Sequence, residues 1–193
     1  MSRNDVLRST AAPSEMPRQS VDQLYQELGF DIPVETVPLP SGGKAYPPEH
    51  PFHLKEAVSI RAMTAREEDI LTSRALLKDG SMISRLIESC VVDKGLDAAT
   101  LLSGDRNALV TAIRITGYGA EYRSTIACPV CSSPNKHTTN LTDLPVRRLE
   151  LDPTGIGHNE FNTTLPVTGK NVTFRFTNGY DEREMTLMSE RRA

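Results

Sequence analysis

The period of apolar positions along the chain changes twice. Near the start, Val21, Leu24, Tyr25 and Leu28 recur at helical spacing, and Gly29 ends that short helix. Prolines at 33, 38, 40, 47, 48 and 51, with Gly42 and Gly43, then exclude regular helix and predict extended backbone. Residues 1–20 are rich in Ser, Arg, Pro and small side chains and have little to bury, so they read as a tail. Within the proline-rich stretch, Leu39, Tyr46 and Phe52 are apolar groups that a solvated linker does not need. Residues 1–55 therefore read as an extended arm with one short helix, ordering against a neighbouring subunit. A plain linker is the alternative.

The middle of the chain is helical. Thr64-Ala65-Arg66-Glu67 has the form of a capping box. Ile70, Leu71, Leu76 and Leu77 give the following helix its apolar side, and Gly80 ends it. A second helix starts at Ser81, with Ile83, Leu86, Ile87, Cys90 and Val91 on one stripe, and ends near Gly95. Cys90 on that stripe reads as a small buried hydrophobe. A third helix runs from Asp105, read as its N-cap, to Thr116, with Leu109, Val110 and Ile113 inward. Residues 56–119 thus form a small helical domain, with Ile70, Leu77, Leu86, Ile87, Leu109 and Ile113 in one core.

After Gly119 the pattern turns strand-like. Tyr122–Ala127, His137–Leu141, Val146–Leu151, Phe161–Leu165 and Val172–Phe176 are the candidates, and Val167-Thr168-Gly169-Lys170 is a turn joining the last two. Residues 120–180 read as a small antiparallel β-module. Residues 181–193 read as a C-terminal helix, with Asp181 and Glu182 at its start and Arg191 and Arg192 at its end, matching the helix dipole. The fold class is α+β.

Composition narrows the function. The chain has 193 residues, 38% hydrophobic and 5% aromatic, with no Trp, which supports a lean core. The net charge of -3 speaks against nucleic acid as a partner. Three cysteines do not pair completely and suit a reducing compartment. No run of about 18 apolar residues is present, so no membrane span is expected; nor is a secretory leader.

The sharpest chemical signal is Cys128-Pro129-Val130-Cys131, at the tip of a predicted hairpin. Two thiols at this spacing can turn onto one zinc ion, as in a zinc-ribbon knuckle. Zinc takes four ligands. Cys128, Cys131 and His137 are the candidates, the fourth is unassigned, and His158 is the other nearby histidine. A metal-free knuckle, or a site completed by a neighbour, is the alternative. Redox chemistry is not expected, because a strand precedes the pair and no helix follows. No HExxH, GxSxG or Walker pattern is present, so an enzyme is not expected; Ser41-Gly42-Gly43-Lys44 is a turn. The acidic run Glu67-Glu68-Asp69 reads as a solvated helix face. Arg123, Lys136, Arg147 and Arg148 surround the knuckle, but Asp143, Glu150 and Asp152 dilute them and stacking aromatics are few.

Several stretches occur together in order: Leu39-Pro40-Ser41-Gly42-Gly43-Lys44-Ala45-Tyr46-Pro47, Arg61 to Leu71, Gly104-Asp105-Arg106-Asn107-Ala108-Leu109, Arg114 to Gly119, the CxxC, and Leu165 to Lys170. From about Leu39 to Glu184 the chain resembles the T-even-type bacteriophage baseplate hub protein family. The resemblance implies a structural or assembly role in the tail baseplate of a contractile phage, without enzymatic activity. Its implied partners are other tail or baseplate proteins, with no small-molecule substrate. Its implied location is the virion tail baseplate, after synthesis in the host cytoplasm. Family-like knuckles carry Gly after the second Cys, where this chain has Ser132. A transient assembly chaperone and a zinc-ribbon nucleic-acid-binding accessory protein are the alternative functions.

Overall fold

A computed structural model describes residues 33–191. The tail and the short helix expected before Pro33 lie outside the described residues. The described chain mixes helices with three two-stranded antiparallel sheets, the expected α+β class.

Strand β1 (Val34–Pro38) pairs with β2 (Ala57–Arg61), Val34 opposite Arg61 and Pro38 opposite Ala57. Residues 39–56 return between them in tight turns. Gly43 makes this possible: its φ is +73°, and a Cβ there would collide with the backbone of Phe52 and Lys55. The loop buries Leu39, Tyr46 and Phe52. Over residues 33–55 this corrects the expectation of an extended arm. The prolines do exclude helix, but the three apolar anchors face this chain's own core. β2 offers β1 a hydrogen-bonding edge within the same chain.

Four helices follow: α1 (Ala65–Thr72), α2 (Arg74–Lys78), α3 (Met82–Cys90) and α4 (Ser103–Tyr118). The single helix expected up to Gly80 breaks at Ser73, whose ψ of 109° is extended. The Ser73 hydroxyl accepts the Leu76 amide at 3.5 Å and so begins a second helix. The break turns Leu77 outward, 65% exposed rather than in the core. Leu86, Ile87, Leu109 and Ile113 are buried together as expected, with Ile70 packed at the margin. Cys90 is buried on the same stripe. Burial, with the Glu67 carboxylate adding to it, pushes its thiol up to about 11, which makes it an inert hydrophobe.

Hairpin β3 (Glu121–Ala127)–β4 (Pro134–Asn140) and hairpin β5 (Phe161–Thr164)–β6 (Asn171–Phe174) are separate sheets, not one module. Residues 146–151 form no strand. They run over the surface as irregular, mostly exposed chain, held by the Leu149 amide donating to the Pro40 carbonyl at 2.8 Å. Helix α5 (Gly179–Glu190) starts two residues before Asp181. Asn178 caps it: its side chain accepts the Asp181 amide at 3.1 Å, and the Asp181 carboxylate accepts the Asn178 amide at 3.0 Å.

One hydrophobic cluster joins the β1–β2 loop, α3, α4 and the β5–β6 hairpin, from Val37 through Ile60, Ile87 and Leu109 to Phe161. The expected arm, helical domain and β-module thus contribute to a common core. Phe161, Phe174 and Phe176 set their rings 4.9–5.8 Å apart at its C-terminal side, Phe161 stacked on Phe174 and Phe176 edge-on to both. Buried Arg106 fastens α5 to α4. Its Nη1 donates to the Ala98 carbonyl at 2.6 Å and its Nε to Glu182 at 3.2 Å.

Candidate functional site

The CxxC sits where the sequence places it, on the turn joining β3 to β4. Its geometry follows from the strand register, which runs from Glu121 opposite Asn140 to Ala127 opposite Pro134. The Cys128 amide donates to the Ser133 carbonyl at 2.9 Å, and the Ser132 amide to the Cys128 carbonyl at 2.8 Å. Ser132 takes a left-handed φ of +58°, the conformation that a glycine would adopt freely. The Ser133 hydroxyl lies 3.0 Å from Cys131 Sγ. The Ser133 hydroxyl and amide hold the Cys131 thiol below the usual thiol range.

His137 is not brought to this turn. It stands opposite Ser124, four positions before Cys128 along β3. At about 3.3 Å per residue that is roughly 13 Å along the hairpin, too far for side chains that must meet one ion. His158 belongs to another turn, docked on residues 44–47 by the Gly157 amide donating to the Lys44 carbonyl at 2.9 Å. Among the described residues, no three His, Cys, Asp or Glu side chains form a group that could hold a metal. A zinc site built from Cys128, Cys131 and His137 of one chain does not fit this geometry.

Two polar clusters look chemical but are closed. Asp105, expected as an N-cap, lies inside the first turn of α4. Its carboxylate accepts from the Ser41 amide at 2.9 Å, the Ser41 hydroxyl at 2.5 Å and the Tyr46 hydroxyl at 2.6 Å. Burial and the Asp105 charge push the Tyr46 phenol far above its ordinary value. Glu67, read as part of a solvated face, is instead fully buried. It accepts from Arg61 at 2.7 Å, Ser89 at 2.5 Å and the Thr64 amide at 2.8 Å. Both carboxylates brace loop to helix, and no buried side-chain N or O among the described residues lacks a partner.

The surface carries what these clusters lack. An apolar groove of about 500 Å³ runs between α4 and residues 141–147, lined by Val37, Ala108, Ile115, Leu141, Leu144 and Val146. A neighbouring hollow of about 260 Å³ lies beside Pro40, Leu149 and Phe176, with Arg147 and Arg148 lining it. The two hairpin tips hold Val130 and Val167 out at 92% and 93% exposure. Sequence reasoning missed the groove, because its outer wall is irregular chain without a period. Its one linear signal is the apolar set Leu141, Leu144, Pro145 and Val146, placed where no strand forms.

A protein-family model described as T4 bacteriophage base plate protein matches residues 32–158. The chain belongs to that family. No curated protein and no solved structure matches it. The baseplate-family match spans β1 through the knuckle hairpin and stops just before β5. Phe161 and the Phe174–Phe176 rings lie beyond it yet close the same core, so the baseplate unit of this protein takes in its C-terminal hairpin.

Proposed function

We propose that this baseplate-family protein is a structural component of the hub region of a contractile tail. It works through contacts with other tail and baseplate proteins. The apolar groove between α4 and residues 141–147 carries this reading. A concave site lined mainly by apolar side chains is suited to receive an apolar group from another molecule.

Composition and cross-linking of purified particles test the proposal. The chain is expected in mature virions at a fixed ratio to other baseplate proteins, cross-linked to central rather than peripheral subunits. Finding it only in assembly intermediates would instead make it a transient chaperone. Cross-links confined to the periphery would refute the hub position. Tight DNA binding that weakens steeply with salt would favour a nucleic-acid accessory role.

A further inference from the structure

The knuckle presents two thiols and a prepared backbone, and among the described residues nothing in its own chain completes them. The Ser133 hydroxyl lies 3.0 Å from the Cys131 sulfur, and the Cys128 amide and carbonyl close the turn on the Ser133 carbonyl at 2.9 Å and the Ser132 amide at 2.8 Å. Two cysteines two residues apart on one such turn can direct both sulfurs at a single ion. Most of the hairpin is exposed, and Cys131 with it. The tip is therefore open to another molecule.

We propose that this turn is half of a tetrathiolate zinc site, completed by the Cys128 and Cys131 of a second copy of this chain. Zinc takes four ligands in a tetrahedron, and one turn supplies two. An identical turn related by a two-fold axis supplies the other two without requiring any new residue type, as an isologous contact does. Ile126 and Val130, within two residues of the cysteines, are exposed at the same tip and are available to a second copy. Binding releases the four thiol protons to solvent and leaves zinc held by four thiolates. The proposal rests on the turn itself and not on where in the baseplate the chain sits.

Full-length protein, freed of any histidine tag and never exposed to chelator, tests it by elemental analysis and sedimentation with added zinc. One zinc per two chains is expected, in a dimer that chelator returns to monomer. Cobalt in place of zinc should give the absorption of an all-sulfur tetrahedral site. Cys131→Ser should lose metal and dimer together while keeping the parent's helical circular dichroism, because the tip is outside the core. His137→Ala should keep both. One zinc per monomer would overturn the proposal. So would loss of metal in His137→Ala, a dimer indifferent to chelator, or no zinc bound at all.

Discussion

The Tyr46 hydroxyl donates to the Asp105 carboxylate at 2.6 Å, joining a turn of the proline-rich loop to the first turn of α4 across 59 residues of sequence. The same oxygen accepts the Leu102 amide at 3.0 Å. One phenol therefore satisfies both a buried charge and the residue that precedes α4. Tyr46→Phe removes both bonds and keeps the ring. A loss of about 1–3 kcal/mol is expected in urea unfolding, as for a buried group left unpaired. A change well below that range would mean that water replaces the hydroxyl.

The phase of the helices separates two leucines that the sequence treats alike. Leu86 is buried in α3, whereas Leu77 projects from α2. Leu86→Ala should cost about 2–5 kcal/mol. Leu77→Ala should stay within about 0.5 kcal/mol of the parent. Equal losses in thermal unfolding would contradict the break at Ser73.

Acid should weaken the protein through Glu67. Burial alone would raise its carboxyl, but hydrogen bonds from Arg61, Ser89 and Thr64 outweigh burial and hold it at about 2, against 4.5 ordinarily. A carboxyl lowered on folding stabilises the fold above its unfolded value, and that contribution fades as pH falls through the folded one. Stability should therefore drop between pH 4.5 and about 2. Asp181, held at about 2 by Arg175, titrates in the same window. The comparison is thus Glu67→Gln against the parent: the variant should start less stable and lose less across that window. Parallel curves would show that Glu67 is not the titrating group.

The left-handed backbone at Ser132 makes the knuckle sensitive to side-chain shape. A β-branched residue, which this backbone region admits less readily than serine, should destabilise the hairpin. Hydrogen exchange should show the β3–β4 amides opening faster in Ser132→Val, with the α3 and α4 amides unchanged. Uniform loosening of all elements would mean that the hairpin is not a separate cooperative unit.

Local chemistry was legible along the chain, and long-range partnership was not. The helical stripe through Leu86, Ile87 and Cys90, and the turn at Ser41-Gly42-Gly43-Lys44, follow from neighbouring residues alone. So does the CxxC at a hairpin tip, because a few bonds set the geometry of each. The sequence by itself also determined the family, through ordered short motifs from Leu39 onward. Tertiary structure alone decided where the proline-rich segment lies. Its apolar anchors suit any apolar surface, and only the pairing of β1 with β2 shows that the surface is this chain's own. It also decided that Asp105 and Glu67 are buried braces, since a carboxylate in a first helical turn looks the same whether it faces water or Tyr46. Strand register separated His137 from the cysteines: six residues along the chain become four rungs down a hairpin, and a side chain cannot reach that far.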